Sequence, residues 1–346
     1  MFLLHAYFLA NDPILLSFFL ETIKILYHSG ITQRYELTMN HLSFFWLSHD
    51  KEKVLAALRT EFSQMASQRI SSGDIQLPPI PDVVLKIQKL CTLEGTLIKD
   101  VSDTLLEDPS LTAIVIRMAN SVVFNRRNIT CTDVLTAVSR LGIFRVRDIV
   151  TAQAIEQLKH SSDLNKECNS LLRKSAARSR EFAAVMTMVC EEITKASEDD
   201  SLDYLEPEKA LLTGLLADIG LFCLVNQYYD YLENGNYLDL ELAVYIFNKE
   251  CNDTSYHVLN HWQFDGDFLS VATNEEKSSD SSYPINYLDI ARIASHLLMF
   301  RNKDDAIDDH DVEITLEGAE ALYTLSNLTD SQFKDRIKET LRSSGL

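Results

Sequence analysis

Three stretches of the chain decide its fold: LPPIPDVVLKIQKL at 77–90, EDPSLTAIVIRMANS at 107–121 and AVSRLGIFRVRDIV at 137–150. In the second stretch, Asp108 and Pro109 are the residue types of a helix N-cap and a first helical position. Leu111, Val115 and Met118 then recur at spacings of three and four, which places them on one helical face. The pattern predicts an amphipathic helix packed against its neighbours.

The same periodicity continues in both directions and predicts a succession of helices. Toward the N-terminus, Leu55, Leu58, Phe62 and Met65 predict one helix over 51–69 with a single buried stripe. The other predicted helices cover 83–92, 131–141, 144–158, 165–195, 207–224, 239–250, 253–262, 264–272, 285–300 and 314–343.

The composition favours helices over sheets. The 346 residues include 10 glycines and 7 prolines, and no proline falls between Pro109 and Pro207. Sandwiches, barrels and Gly-rich nucleotide loops need more of these residues for tight turns. Because 46% of the residues are apolar, we predict an all-α protein with a substantial core.

The N-terminal sequence and the cysteines bear on the compartment. The segment MFLLHAYFLANDPILLSFFLETIKIL (1–26) is apolar, but its first basic residue is Lys24, and Asp12 and Glu21 interrupt it. It therefore lacks the basic start of a signal peptide and the uninterrupted apolar run of a membrane helix. The six cysteines form no CxxC pair, which fits free thiols in a reducing compartment. We expect a cytoplasmic protein without membrane contact.

The net charge of −19 is unevenly distributed. Residues 196–346 hold 30 acidic and 10 basic residues, whereas 1–195 are nearly neutral. Within the nearly neutral residues 1–195, the stretch 117–147 contains a single acid, Asp133. It also contains six arginines: Arg117, Arg126, Arg127, Arg140, Arg145 and Arg147. These arginines could bind an anionic ligand, or they pair with the acidic half or solvate helices, which is the interpretation we favour. A nucleic-acid partner is not expected, because no aromatic residues interleave with them.

Together the three stretches resemble the HDOD domain, a helical bacterial signalling module related to the HD-superfamily metal phosphohydrolases. The resemblance continues through GLLADIGLFCL at 214–224 and NHWQFDGDFL at 260–269. It implies a multi-helix, HD-like bundle over 82–276, with subdomains at 82–160 and 161–276. Around this bundle we predict a mostly helical N-terminal segment (1–70), a linker (71–81) and a C-terminal helical extension (277–346).

The resemblance also implies where metal ligands would lie. The positions that match the ligands of HD phosphohydrolases are Lys174, Ala217, Asp218, Cys251 and Glu275. A lysine ammonium has no free lone pair and alanine has no donor atom, so this set leaves too few ligands for a catalytic metal. We therefore expect no cofactor, and we hypothesise that Lys174 pairs with Asp218 in the place of the metal.

Two further family positions have a simpler explanation in chain geometry. Asn120 and Ser121 are residue types that bond free backbone groups at helix ends, and Leu141 and Gly142 mark a chain reversal after a helix. We expect a structural role for all four.

The sequence thus predicts a non-catalytic regulatory protein that acts through a protein partner or a small regulatory ligand, with homodimerisation left open. Two alternatives remain: a metal-dependent phosphohydrolase of a nucleotide, and a nucleic-acid or cyclic-dinucleotide binder that uses the arginines.

Overall fold

A computed structural model describes residues 41–344, except 45–46, 48–49, 79, 122–123, 126–127, 162–163, 197–201, 276–284, 311 and 313. The described residues form helices and no strand, as predicted for an all-α protein. Most of the predicted N-terminal segment, residues 1–40, lies outside the described residues.

The first half contains a 3-10 helix, η1 (Leu42–Phe44), and the α-helices α1 (Lys51–Leu58), α2 (Glu61–Ser72), α3 (Asp82–Cys91), α4 (Ile98–Leu105), α5 (Pro109–Ala119), α6 (Val134–Leu141) and α7 (Ile143–Ser161). The second half contains α8 (Lys166–Ala196), α9 (Pro207–Leu216), α10 (Ile219–Glu233), α11 (Leu240–His261), α12 (Gly266–Thr273), α13 (Tyr287–Asn302), the 3-10 helix η2 (Asp305–Asp309), α14 (Leu316–Ser326) and α15 (Asp330–Ser343).

The helix ends follow the predicted capping chemistry. The Asp108 side chain accepts hydrogen bonds from the backbone N–H groups of Ser110 and Leu111 at 2.8 and 3.1 Å, and Pro109 occupies the first helical position. Gly142 ends α6 with φ +83°, a conformation that glycine adopts without a steric penalty. These two features fix where α5 begins and where α6 ends.

Several predicted boundaries were wrong. The helix predicted over 51–69 breaks at Arg59, because the Thr60 side chain accepts from the Ser63 N–H and starts α2. Leu55 is consequently 55% exposed, and the buried apolar residues of this region include Ala57 and Phe62. The segments predicted at 239–250 and 253–262 are one helix, whereas 207–224 and 314–343 are each divided.

Helix α8 is central to the packing of the described residues. Its 31 residues give a length of about 46 Å, and it contacts α7, α9, α10, α13, α14 and α15. Three apolar clusters surround it: one built mainly from α3–α7 with α9, one from α8 with α13–α15, and one from α1, α2, α10 and α11. The site described below lies where these clusters meet.

One stretch of the described residues, Pro207–Glu233, is long and apolar enough to cross a membrane by length and composition. It comprises α9 and α10, and 94% of its most apolar window is buried inside the protein. Its apolar side chains therefore contribute to the core of the fold.

Helices α10 and α11 approach each other closely at Gly220. A Cβ atom there would lie 2.5 Å from the Ser255 nitrogen and 2.7 Å from the Cys251 carbonyl oxygen. Because backbone atoms cannot yield as a flexible side chain can, we expect Gly220→Ala to lower the free energy of unfolding by about 3 kcal/mol. Urea denaturation measures this loss.

Gly235→Ala is the matched control. A Cβ at Gly235 would meet open space, and its only penalty is the backbone φ of +84°. We expect a loss of about 1 kcal/mol there. Equal losses in the two variants would contradict the close helix contact.

Candidate functional site

The site is centred on Asp218, which lies between α9 and α10 and is 2% exposed. Its Oδ1 atom accepts from the Lys159 ammonium at 2.8 Å and from the Ser179 hydroxyl at 2.8 Å. Its Oδ2 atom accepts from the Ser175 hydroxyl. The Lys159 ammonium also donates to Ser179 Oγ at 3.2 Å. Both carboxylate oxygens are therefore hydrogen-bonded in the interior.

Three parts of the fold bring these residues together. Lys159 lies in the last turn of α7, and Ser175 and Ser179 lie one turn apart on the same face of α8. Asp218 occupies the N-cap position of α10. Because Lys159 is only 1% exposed, its charge would be very unfavourable without the carboxylate. The ion pair therefore ties α7, α8 and the start of α10 to one point.

Asp218 is ionised at neutral pH. Burial by itself would raise its pKa, but the attraction of the Lys159 ammonium and the hydrogen bonds from Lys159 and Ser175 hold the pKa below its usual range. The Asp218 carboxylate is therefore charged in its 2.8 Å contact with Lys159.

A histidine from the N-terminal side of the chain lies beside this pair. The His41 ring is 1% exposed, and its Nδ1 accepts from the Ser43 hydroxyl at 2.7 Å and from the Ser43 N–H at 3.2 Å. The proton then lies on Nε2, which donates to the Ala217 carbonyl at 3.2 Å. Burial lowers the pKa of His41 to about 4, against the raising effect of the Asp218 charge. The imidazole is thus neutral at pH 7, and both its nitrogens are hydrogen-bonded.

Cys251 closes another side of the site, and its thiol is protonated. Burial and the Asp218 charge raise the pKa of Cys251 well above its usual value. Its Sγ lies 3.7 Å from Ser255 Oγ, and that hydroxyl accepts from the Gly220 N–H at 2.9 Å.

The positions expected from the sequence separate into two groups. Ala217, Asp218 and Cys251 are buried, whereas Lys174 and Glu275 are exposed. The hypothesis that Lys174 pairs with Asp218 was wrong, because one residue of α8 is about 100° of rotation and Lys174 lies on a different face from Ser175.

Lys159 was not identified from the sequence. It lies 59 residues before Asp218, and no local spacing connects the two. One signal was present: Ala152, Ile155 and Lys159 follow at the spacing of one helical face. A lysine that continues a buried stripe needs an interior carboxylate.

The arrangement does not fit a divalent metal. Among the described residues, no group of three or more His, Cys, Asp and Glu side chains could hold a metal ion. The Asp218 carboxylate oxygens, which would be the metal's ligands, are bonded to an ammonium and two hydroxyls. We therefore derive no hydrolytic step through a metal.

The profile of the HDOD domain matches residues 77–278, a range that contains Lys159, Ser175, Ser179, Asp218 and Cys251. The chain belongs to the HDOD family. His41 lies before the HDOD domain, and α13, α14 and α15 follow it.

Comparison with solved structures found one with a similar helical fold and others that match less well. A protein provisionally named a metal-dependent phosphohydrolase, from Shewanella amazonensis SB2B, is 18% identical with a TM-score of 0.60, covering 83% of this chain and 99% of its own. An HDOD domain protein of unknown function from Geobacter sulfurreducens is 17% identical with a TM-score of 0.41, covering 82% and 94%. No curated protein matches the chain. At such identities, the first of these structures supports the fold alone.

The six arginines between 117 and 147 lie in different surroundings. Arg140, Arg145 and Arg147 line two adjoining cavities of about 560 and 570 Å³. Arg140 donates to the Ala119 and Ile129 carbonyls, both at 2.8 Å. Arg117 is exposed, and Arg126 and Arg127 lie outside the described residues.

Arg145 and Arg147 are paired with acids. Arg145 forms a salt bridge with Glu206 from the acidic half of the chain. Arg147 bonds Asp148 at 2.7 Å between Nε and Oδ1. Burial raises the pKa of Asp148 to about 6, although the Arg147 charge opposes this shift. The guanidinium groups therefore fix the cavity walls instead of presenting free positive charge.

The remaining family positions shape the chain. Asn120 bonds Cys131 twice, through Nδ2 to the carbonyl at 2.6 Å and through Oδ1 from the N–H at 2.7 Å. These bonds close the loop between α5 and α6. The expectation that the Ser121 side chain bonds a backbone group was wrong, because its buried Oγ has no hydrogen-bond partner among the described residues. The Leu141 side chain is buried beside the turn at Gly142.

The Lys159–Asp218 pair gives a prediction for stability. Lys159→Met and Asp218→Asn each leave one buried polar partner without its counterpart, and we expect each to lower the free energy of unfolding by about 3–5 kcal/mol. The double variant should regain at least about 2 kcal/mol relative to the sum of the single losses, because the partners are in direct contact. Urea denaturation of the four proteins gives this interaction energy.

Lys86→Met is the matched control, since Lys86 forms an exposed ion pair with Glu107. Its loss should stay within about 1 kcal/mol. Additive single losses at Lys159 and Asp218 would contradict a direct buried pair.

Proposed function

We propose that this HDOD protein is a non-catalytic regulator in bacterial signal transduction that acts through a protein partner or a small regulatory ligand. The observation that carries the proposal is the set of donors at Asp218. Lys159, Ser175 and Ser179 satisfy the carboxylate where HD phosphohydrolases would hold a metal.

The chemistry of hydrolysis explains why this substitution matters. A catalytic metal lowers the pKa of a bound water and so produces a nucleophile near neutral pH. An ammonium supplies positive charge but no coordination position, so it neutralises Asp218 without activating water. The same contacts stabilise the packing of three helices, which is a structural role.

The surface of the HDOD domain supports a protein partner. Most of the large apolar side chains that are exposed in the described residues lie between 82 and 158: Leu85, Leu93, Leu97, Ile98, Leu106, Ile129, Leu135 and Phe144. Exposed apolar side chains that form a contiguous patch are typical of surfaces that bind other proteins, and these eight residues are the candidates for such a patch.

Metal loading and hydrolysis assays test the absence of catalysis. Purified protein is incubated with Mn²⁺, Fe²⁺ or Zn²⁺, separated from excess metal, and analysed for bound metal and for hydrolysis of bis(p-nitrophenyl) phosphate and cyclic dinucleotides. We expect substoichiometric metal and no turnover above that of Asp218→Asn. Stoichiometric metal with turnover that Asp218→Asn abolishes would establish the phosphohydrolase alternative instead.

Quantitative crosslinking in the native host tests the partner. We expect Leu97→Ser combined with Leu106→Ser to lower the yield of a reproducible crosslinked partner at least about tenfold, since the two changes remove apolar contact area. Leu316→Ser is the control, because Leu316 is similarly exposed but lies in α14, outside the HDOD domain. A yield equal in all variants, or no reproducible partner, would count against a protein partner at this surface.

A further inference from the structure

Four consecutive residues, His41–Phe44, lie in the interior although they precede the HDOD domain. Each is no more than 2% exposed. We call these four residues the N-terminal plug. The plug contains the 3-10 helix η1, which contacts α8 and α13.

The plug joins parts of the protein that otherwise have separate apolar clusters. Leu42 belongs to the cluster of α8 with α13–α15, and its carbonyl accepts from the Ser295 hydroxyl at 3.1 Å. Phe44 belongs to the cluster that contains α10, α11 and Cys251. The His41 and Phe44 rings contact each other edge to face, with 4.9 Å between the ring centroids.

The plug also contacts the Asp218 site directly. His41 donates to the carbonyl of Ala217, which immediately precedes Asp218. An imidazole from a residue 176 positions away in the sequence therefore lies beside the Asp218 ion pair. The charged groups that act on this imidazole are Asp218 and Lys159.

The hydrogen bonds inside the plug span a single turn. The Phe44 N–H donates to the His41 carbonyl at 3.2 Å, and the Ser43 N–H and hydroxyl donate to His41 Nδ1. A single turn of 3-10 helix is marginal in isolation, so the position of the plug depends on contacts with α8, α13 and the Asp218 site.

We propose that the N-terminal plug is a releasable closure of the Asp218 site, and that its undocking is the conformational change by which sequence N-terminal to the HDOD domain regulates that domain. The regulatory role of undocking rests on the proposed function of the protein. The closure of the Asp218 site by the plug can be measured independently of that role. Release would open the site on the side of His41 and Phe44, where His41 bonds the residue before Asp218 and Phe44 shares an apolar cluster with Cys251.

Cys251 is a natural reporter of undocking. It is fully buried in the docked state, so a thiol reagent reaches it only after the site opens. Cys131 is the reference, because it is also buried but belongs to the cluster of α3–α7. The full-length protein is treated with 4,4′-dithiodipyridine under native conditions, and mass spectrometry gives the labelling rate of each cysteine.

We expect His41→Ala and Phe44→Ala each to raise the ratio of Cys251 to Cys131 labelling rates at least about tenfold, because each removes buried contacts of the plug. His41→Gln retains an N–H donor for the Ala217 carbonyl and should return the ratio to within about threefold of the native value. His261→Ala removes an exposed imidazole and should leave the ratio unchanged.

Two results would overturn the proposal. Unchanged Cys251 labelling in both plug variants would show that the plug does not close the site. Parallel acceleration of Cys251 and Cys131 would show that the plug is an ordinary part of the core whose loss unfolds the whole protein. Neither result depends on metal content or hydrolysis, so a failure of the closure is distinguishable from a failure of the proposed non-catalytic function.

Discussion

The buried ion pair between Lys159 and Asp218 constrains the rest of the structure. Neither charge has access to water, and each would be unfavourable by several kcal/mol without the other. Their 2.8 Å contact requires the last turn of α7 to meet the start of α10. Ser175 and Ser179 bring α8 to the same point through their hydrogen bonds to Asp218. Apolar packing tolerates small shifts between helices, but a buried charge pair does not, because separation leaves two desolvated charges. The pair therefore specifies the relative positions of these helices.

Charge balance explains why an ammonium suits the Asp218 carboxylate. A divalent cation in a protein needs several anionic or lone-pair ligands, and here one carboxylate is accompanied by the neutral groups Ser175 and Ser179. A single ammonium neutralises this carboxylate and satisfies its hydrogen-bonding capacity together with the two hydroxyls. Ala217 and a protonated Cys251 add no anionic charge. The site is therefore electrostatically complete with Lys159, and a divalent ion would leave it with excess positive charge.

The sequence predicted what local chemistry controls. Asp108, Pro109 and Gly142 mark helix ends through their own side chains and backbone preferences, so those ends were predictable. The pairing of Asp218 depends on which faces of α7 and α8 turn toward each other, and this is a tertiary property. A one-residue difference between Lys174 and Ser175 separates an exposed residue from a buried one. His41 was beyond prediction, because its partner is 176 residues away and no family pattern extends to it.

The location of the site explains how a small change there could have a large effect. Ala217 belongs to the cluster of α8 with α13–α15, Cys251 to the cluster of α10 and α11, and Ile219 to the cluster of α3–α7. Packed interiors respond to a displaced side chain by discrete rearrangement, since they have little free volume. The N-terminal plug contributes Leu42 to one of these clusters and Phe44 to another. Withdrawal of the plug would therefore remove contacts from both clusters. The Lys159–Asp218 ion pair between them cannot shift without separating two buried charges. This favours a switch between two discrete arrangements of the helices over a continuous shift in their positions.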